Sequence, residues 1–364
     1  MAEKTKYAQV LDSLLEDIRD GKYKNQSFPS ENMSARRFAV GRKTIGRVYE
    51  ELARRGLIAR RRGAGTMLTR KASGEFGRIG LIVHGSDYCE LFAPIARRVS
   101  RLCQERGLTL LFADLSGDLV SRRVGKVAQT AADFVKTGVN GVIFQPVELV
   151  KRAEAINRRI LSTFDGAGVP VVLLDSDIVL SPDRSRYDLA AVNHVEAGRR
   201  IGACLAESGA KRIAFLMERE HAPCVQDRYL GVKIGAEGRL AKNAAVYARP
   251  DDAAAIRKAI KSLKIDAFAC YNDREARLLI TTLAKLGYSV PDDVKVAGFD
   301  DVNYATISAP ALTTAHQPCN ELADLAFEML MSRIDNPDAP PRETFLSAPL
   351  VVRDSTASKV RPLC

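Results

Sequence analysis

The chain has 364 residues, of which 46% are hydrophobic, and it carries a formal net charge of +11. This length predicts two or three domains, and no apolar run approaches the roughly 18 residues of a membrane span. The seven scattered cysteines and four histidines lack the spacing of a metal site, so we expect reduced thiols, no metal and no cofactor.

The positive charge is concentrated at the start of the chain. Residues 1–71 contain 17 Lys and Arg against 8 Asp and Glu, so they carry +9, whereas the other 293 residues carry +2. A basic domain joined to a nearly neutral body is typical of nucleic-acid binding. A basic surface that is merely solvated has the same charge, so the motifs in this segment must distinguish the two.

Three helices are predicted in the first 56 residues. Apolar residues three and four positions apart predict a helix over 7–18 that ends at Gly21. Ser30 can cap a short helix over 31–39, and a third helix spans 42–55 and ends at Gly56. The residues expected to face inward are Met33 and Phe38 in the second helix and Ile45, Val48, Tyr49 and Leu52 in the third.

The third helix begins with a cationic outer face, and a cationic β-hairpin follows it. The N-terminal end of a recognition helix enters the major groove, where long donors contact bases and phosphates. A strand from Leu57, a turn at 63–65 and a return through 66–68 predict the hairpin, whose tip can lie over a minor groove. The predicted DNA contacts are Ser30, Arg42, Lys43, Thr44, Arg47, Arg61, Arg62, Gly63 and Gly65.

Residues 5–69 resemble the DNA-binding domain of the GntR family of bacterial regulators, a winged helix-turn-helix. The matching segments are 28–31, 41–47, 51–58 and 62–66. Asn32, Gly41 and Ala64 depart from the family pattern, so two usual DNA contacts are missing and the family's consensus DNA sites are not assumed. Gly46 costs about 1 kcal/mol relative to Ala inside a helix. It either permits close approach to DNA or reflects drift.

A short polar linker over 70–77 separates the DNA-binding domain, residues 1–69, from a larger body over 78–356. Apolar β runs alternate with amphipathic helices in the body, which predicts an α/β fold with parallel sheets covered by helices. The expected strands are 79–84, 109–113, 141–144, 171–175, 213–217, 244–247, 267–270 and 294–298. A break over 177–191, rich in Ser, Pro and Asp, divides the body into two similar halves that face each other across a cleft.

The body resembles the sugar-binding domain of LacI/GalR-type repressors, which is related to periplasmic sugar-binding proteins. The matching segments, in order, are 78–83, 141–146, 169–175, 210–215, 227–231, 271–273, 296–301, 312–318 and 350–355. The combination with a GntR-type head is similar to that of arabinose-type repressors of Gram-positive bacteria. The resemblance implies two lobes, lobe 1 over about 78–185 plus 302–318 and lobe 2 over about 190–300 plus 319–345.

The resemblance also implies effector-binding residues in the cleft. Each hydroxyl of a polyol both donates and accepts, so a mixture of carboxylates, forked donors and amides suits it. The implied effector residues are Ser86, Tyr88, Asp175, Arg228, Asn272, Asp300 and Gln317. Because the chain has no Trp, an aromatic that stacks on a sugar ring must come from Phe92, Phe164, Tyr229, Tyr271 or Tyr304, each of which also suits a core position.

These features predict a cytoplasmic transcription repressor that binds a double-stranded operator as a homodimer and responds to a small carbohydrate-like effector. A non-carbohydrate ligand or a cleft that does not sense is the alternative. The sequence contains no nucleophile elbow, P-loop, dinucleotide fingerprint or metal cluster, so we expect no enzyme activity. The basic head and the lack of an apolar signal segment after Met1 disfavour a solute-binding protein for transport, and no membrane partner is expected.

Overall fold

The computed structural model describes residues 5–20, 22–23, 28–55, 57–61, 65–68, 77–83, 90–114, 120–179, 183–219 and 221–357. The chain divides into two units, the first comprising Met1–Arg78 with Gln104–Thr109 and the second comprising Ile79–Cys103 with Leu110–Cys364. Within the described part, no helix is long and apolar enough to cross a membrane.

The first unit has the element order of a winged helix-turn-helix. Its elements are α1 (Lys6–Arg19), α2 (Glu31–Arg37), α3 (Arg42–Arg54), β1 (Ile58–Arg61) and β2 (Gly65–Leu68). The two strands pair antiparallel. Ser30 caps α2 as expected, because its Oγ accepts from the Met33 N–H at 3.3 Å. The predicted ends at Gly21 and Gly56 lie outside the described residues.

The buried stripe of α3 is confirmed, since Ile45, Val48, Tyr49 and Leu52 have no exposed surface. The inward orientation of Met33 is wrong, because that side chain is 64% exposed. The face of α2 that packs on α3 presents Ser34 instead, whose Oγ lies 2.8 Å from the Tyr49 hydroxyl. Tyr49 donates in turn to the carbonyl oxygen of Pro29 at 2.6 Å, so a polar chain occupies the place expected for methionine.

The second unit alternates strands with helices. Its first half contains β3 (Arg78–Val83), α4 (Phe92–Glu105), β4 (Thr109–Asp114), α5 (Val120–Thr137), β5 (Gly141–Phe144), α6 (Ala153–Gly166), β6 (Val171–Leu174) and β7 (Asp188–Val192). Its second half contains α7 (His194–Glu207), β8 (Ile213–Met217), α8 (Pro223–Gly235), β9 (Leu240–Tyr247), α9 (Ala253–Leu263), β10 (Ala267–Cys270), α10 (Asp273–Lys285), β11 (Lys295–Asp300), α11 (Asn303–Ile307), β12 (Thr313–His316), α12 (Cys319–Asp335), β13 (Glu343–Leu346) and β14 (Leu350–Val351).

These strands form two six-stranded sheets, one in each lobe. The lobe 1 sheet has the order β13-β7-β6-β5-β3-β4, and the lobe 2 sheet has the order β14-β12-β11-β10-β8-β9. Neighbouring strands from β3 to β13 and from β9 to β12 pair parallel, whereas β14 pairs antiparallel with β12. Every residue of β5, β6 and β10 is buried, as is required of parallel strands covered by helices on both faces.

The eight strands predicted from sequence all form, with ends shifted by four residues or fewer. The expected end at residue 84 lies outside the described residues. The break over 177–191 is not the boundary between the lobes, because β7 inside it is a fully buried strand of the lobe 1 sheet. The chain enters lobe 2 after β7, at Asn193.

The predicted assignment of the later segments to the two lobes was reversed. β12, expected in lobe 1, pairs with β11 of lobe 2, and β13, expected in lobe 2, pairs with β7 of lobe 1. The Arg333 guanidinium fixes α12 on lobe 1 by donating from Nε and Nη2 to the carboxylate of Asp188, both at 2.9 Å. Lobe 2 therefore keeps 302–316, and lobe 1 takes 319–346.

Within the described residues the chain crosses between the lobes at three places. They are Asn193, residues 317–318 and residues 347–349. His194 follows the first crossing and Gln317 lies in the second, so the crossings bring polar side chains to the junction of the two lobes.

Four glycines bring the backbones of α7 and α8 into contact. Gly198 and Gly202 lie four residues apart on α7, and Gly231 and Gly235 lie four apart on α8. A Cβ on Gly198 would overlap the carbonyl oxygen of Arg228, and each of the other three would overlap backbone atoms of the opposite helix. This close packing holds the start of α7 against the middle of α8.

Candidate functional site

The exposed start of α3 carries the predicted DNA contacts. Arg42, Lys43 and Arg47 are exposed and Thr44 is half-buried. The Arg47 guanidinium lies 5.2 Å from the centre of the Tyr7 ring, which orients it along the helix surface. The helix therefore presents three cations on one outer face, as a recognition helix requires.

The remaining predicted DNA contacts are distributed over α2 and the hairpin. The Ser30 side chain is occupied as the cap of α2. Arg61 is described in its backbone, which pairs with Gly65, and Gly65 has a φ of 81°, a conformation that favours glycine. Arg62 and Gly63 lie outside the described residues.

Gly46 has open space around it in the recognition helix. A Cβ built there meets no described atom within 4 Å. Packing inside the protein therefore does not require glycine at this position, and the choice between DNA approach and drift stays open.

Arg228, on α8, is 5% exposed and contacts several groups of the candidate site. Its Nη1 donates to the carbonyl oxygen of Tyr271 at 2.6 Å, and its Nε donates to Nδ1 of His194 at 3.3 Å. Nη2 lies 3.1 Å from Oδ1 of Asp300, which makes an ion pair between two buried side chains. The guanidinium also lies 4.9 Å from the centre of the Phe299 ring. These contacts fix the planar fork of donors in one orientation.

Asp300 is the last residue of β11, and its backbone has a positive φ of 110°. Besides its contact with Arg228, Oδ1 accepts from Nε2 of Gln317 at 2.9 Å. Burial raises the pKa of Asp300 above its ordinary value, opposed by Arg228 and Gln317 and reinforced by the charge of Asp175. A strained aspartate at a strand end, held by groups from other segments, is a feature of ligand sites.

Asp175 lies at the corresponding place in lobe 1, directly after β6, and also has a positive φ, 71°. Its Oδ1 is 3.7 Å from Nε2 of His194, and among the described residues neither buried atom has a hydrogen-bond partner. Burial alone would raise the pKa of Asp175, but His194 and Arg228 lower it below its ordinary value. Asp175 is thus an ionised acceptor at the junction of the lobes.

Glu148 adds a further carboxyl group from the loop after β5. Its Oε1 accepts from the Ser176 hydroxyl at 2.7 Å. Burial raises the pKa of Glu148 to about 7, with Ser176 and Arg228 opposing the shift and Asp175 adding to it. The cluster therefore contains a carboxyl group that changes its charge near neutral pH.

A cavity of about 280 Å³ opens between the two lobes beside this cluster. Asp175 and Phe345 line it from lobe 1, and His194, Cys224 and Asp227 line it from lobe 2. Of the predicted effector residues that the structure describes, Asp175 alone lines this cavity. The lining does not include Arg228, Asp300, Gln317 or Asn272, and Ser86 and Tyr88 fall outside the described residues.

Asn272 acts as a helix cap in the structure. Its Oδ1 accepts from the Glu275 N–H at 2.9 Å at the start of α10. The next residue, Asp273, is buried and accepts from Thr314 Oγ1 at 2.6 Å. Burial and the charge of Asp300 raise the pKa of Asp273 to about 8, and Gly298 leaves the space that its carboxyl group fills.

The aromatic residues expected as ring-stacking candidates do not line the described cavity. Phe92 and Phe164 are buried in lobe 1, and Tyr229 packs 5.4 Å from Phe215 in the lobe 2 core. Phe345, which is 49% exposed, lines the cavity instead.

Sequence reasoning missed His194, Glu148 and Phe345. His194 follows a strand that was placed in a break, so its position at a strand end was hidden. Had 188–192 been predicted as a strand, the rule that ligands meet the carboxyl ends of parallel strands would have indicated His194. Nothing in the local sequence distinguishes Glu148 or Phe345 from ordinary surface residues.

Comparison with known proteins agrees with this architecture. Residues 6–68 match the model of bacterial regulatory proteins of the gntR family, and residues 203–356 match that of the periplasmic binding protein-like domain. The arabinose metabolism transcriptional repressor of Geobacillus stearothermophilus is 26% identical over 98% of this chain and 99% of its own. The repressor PurR of Mannheimia succiniciproducens is 30% identical over 76% of this chain and 80% of its own.

Solved structures show the same fold. A complex of the transcriptional regulator CelR with cellobiose has a TM-score of 0.63 at 20% identity, covering 97% of this chain and 100% of its own. A LacI family regulator from Enterococcus faecium with bound ribose has a TM-score of 0.60 at 20% identity, covering 77% of this chain and 98% of its own.

A winged helix-turn-helix joined to a two-lobed α/β body defines a DNA-binding transcription regulator with a small-molecule effector domain. The chain belongs to the family of transcriptional repressors that includes PurR, and it combines a gntR-type head with a periplasmic-binding-protein-like body.

Proposed function

We propose that the head binds a double-stranded operator and that a small carbohydrate-like effector, held between the lobes, controls this binding. The observation that carries the proposal is the convergence of Asp175 from lobe 1 with Arg228 and Asp300 from lobe 2 on either side of His194. Charged groups at the carboxyl ends of parallel strands, at the junction of two lobes, form a ligand site by position and by chemistry.

The mixture of groups favours a polyol. Carboxylates accept from hydroxyls, the imidazole Nε2–H donates to them, and the Gln317 amide can do both. Cellobiose and ribose in the related solved structures support this class of effector. The residues proposed to act at the site, directly or by positioning others, are Asp175, Arg228, Asn272, Asp300 and Gln317, with Ser86 and Tyr88.

The three crossings between the lobes supply the means of control. An effector that contacts both lobes binds the closed arrangement better than the open one, and the difference in its affinity for the two drives closure. In a homodimer built by the body, closure of each lobe pair changes how two heads meet a pseudo-palindromic operator. Such a protein works in the cytoplasm, where its operator lies.

We propose no catalytic role for the cleft. Burial raises the pKa of the Cys224 thiol far above its ordinary value, which suppresses its nucleophilic form. Arg228 and Asp300 are engaged with each other rather than poised for proton transfer. The relatives by sequence are regulators as well.

A titration of the purified protein against sugars, sugar acids and sugar phosphates tests the proposal. A bound effector at 100 times its dissociation constant stabilises the folded protein by about 2.7 kcal/mol, which appears as a clear rise in Tm. We expect one sugar to raise Tm and to change the affinity for operator DNA measured by fluorescence anisotropy. A Tm rise from a non-carbohydrate metabolite alone would instead support the alternative ligand class, and no response to any compound would contradict a sensing cleft.

A further inference from the structure

We propose that the effector is an uncharged polyhydroxylated molecule that places one hydroxyl against His194 and Asp175, and that the cleft rejects phosphorylated and carboxylated sugars. This inference rests on the proposed function and narrows the class of effector within it.

The protonation of His194 is fixed by its neighbour on α8. Because Nε of Arg228 donates to Nδ1 at 3.3 Å, Nδ1 must accept and the ring carries its proton on Nε2. That N–H faces Oδ1 of Asp175 across 3.7 Å, too far for a hydrogen bond. A buried donor and a buried acceptor are thus left side by side, without a partner in the described structure.

One ligand hydroxyl satisfies both atoms. Its oxygen accepts from Nε2 of His194 and its hydrogen donates to Oδ1 of Asp175, so no charge is needed on the ligand. Leaving such groups unpaired is costly, which makes the pair selective for a ligand that completes it. An ether or a methyl group at the same place lacks the hydrogen that Asp175 requires.

The charges around the cavity exclude anions. The carboxylates lining it belong to Asp175, Asp177, Asp183, Asp227 and Glu343. Among the described lining residues the guanidinium of Arg184 is paired with Glu343, and outside the lining Arg228 is paired with Asp300. A phosphate or carboxylate on the ligand would meet this negative field, and like charges brought together in a cleft disfavour binding strongly.

The size of the cavity agrees with a small molecule. Its volume of about 280 Å³ is just below the range of roughly 300–1,000 Å³ that is usual for ligand pockets. It fits one sugar ring, with the exposed face of Phe345 on the lobe 1 side.

Calorimetric titration of the full-length protein with matched sets of compounds tests the inference. Each set contains one neutral sugar, its phosphate ester and its uronic acid. We expect the neutral member of one set to bind at least tenfold more tightly than both anionic members.

Variants of His194 and Asp175 test where the ligand hydroxyl binds. Asp175→Asn keeps the shape and removes the charged acceptor, so we expect affinity to fall about 10- to 100-fold. His194→Asn keeps an acceptor where Nδ1 lies but has no donor at Nε2, so it should lose about tenfold, whereas His194→Gln, which can place a donor near Nε2, should lose less. Asp292→Asn removes a charge at an exposed position that does not line the cavity and is the control, with a change under about threefold.

The outcomes separate this inference from the proposed function. An anionic sugar that binds more tightly than its neutral parent overturns the inference and leaves the sugar-responsive repressor in place. An equal loss of affinity in Asp175→Asn and Asp292→Asn overturns the proposed contact of the ligand hydroxyl with Asp175. If no member of any set binds, both the inference and the proposed function fail. Melting curves of each variant show whether a loss of binding reflects unfolding. If Asp175→Asn does not fold, the comparison of His194→Asn with His194→Gln tests the contact of the hydroxyl with Nε2.

Discussion

At the scale of single residues, Arg228 has a structural role as well as its proposed role at the effector site. It is 5% exposed and engages Asp300, His194 and the Tyr271 backbone at once. Removing one partner of a buried ion pair leaves the other charge uncompensated, which costs about 3–5 kcal/mol. A loss of effector response in an Arg228 variant therefore has two possible origins, which a paired substitution separates.

We predict that Arg228→Ala lowers the free energy of unfolding by about 3–5 kcal/mol, measured by urea denaturation. Arg228→Met combined with Asp300→Asn removes both charges and should recover most of that stability. The double variant should still bind operator DNA and should have lost its response to the effector. A normal response in the double variant would show that the ion pair does not belong to the effector site.

The site could be predicted in part because some of its residues follow recognisable strands. Asp175 follows the apolar strand β6, Asp300 is the last residue of β11, and Arg228 lies in a motif that resembles the LacI/GalR type. The contacts that fix the orientation and the hydrogen bonding of these residues could not be predicted. The ion pair and the tautomer of His194 depend on contacts between segments tens of residues apart. The cap formed by Asn272 is local, to the Glu275 N–H three residues later.

At the scale of elements, the contact between α7 and α8 depends on the absence of side chains. Gly198 and Gly231 each face the backbone of the other helix, so a methyl group must push the helices apart. Their separation would also break the hydrogen bond between His194 and Arg228. A spacing of glycines four residues apart on two successive helices is the sequence signal for this contact.

We predict that Gly198→Ala lowers the free energy of unfolding of the body by about 3 kcal/mol or more. Overpacking usually costs about 1–3 kcal/mol, and the cost here is at the upper end or higher because the obstructing atoms belong to the backbone. Gly125→Ala on α5 is the control. It is exposed, no described atom lies within 4 Å of a Cβ built there, and the substitution should gain about 1 kcal/mol from helix propensity. Urea denaturation of both variants checks this, and equal effects would contradict close packing as the reason for Gly198.

The elements missed from sequence share a physical reason. β14 has two residues, β13 is partly exposed, β7 follows a polar segment and β12 has the sequence Thr-Thr-Ala-His, so none shows a long apolar run. These segments form strands because each pairs with a neighbouring strand of its sheet. Local patterns also assigned the last segments to the wrong lobes. The contact that holds α12 on lobe 1, between Arg333 and Asp188, joins residues 145 apart in sequence, so a local pattern cannot show it.

At the scale of the whole molecule, charge is distributed unevenly in a way that sets how binding responds to salt. The first 71 residues carry +9 and the rest +2. Each phosphate neutralised by a cation releases counterions, so the logarithm of the affinity falls linearly with the logarithm of the salt concentration.

We predict that Arg42→Ala and Arg47→Ala each lower operator affinity and reduce the magnitude of this slope by about one unit. Arg257→Ala, an exposed cation on α9 of the body, should leave the slope unchanged. Fluorescence anisotropy at several salt concentrations measures all three. Unchanged slopes for both head variants would move the DNA interface away from the start of α3.

The two strands nearest the end of the described chain have a consequence for how the protein is made. β13 is the edge strand of the lobe 1 sheet and β14 is the edge strand of the lobe 2 sheet. Because synthesis runs from the N-terminus, neither sheet is complete before its strand within residues 343–351 has left the ribosome. Until these residues have been made, the nascent body has two sheet edges, at β7 and at β12, that lack their final partner strands.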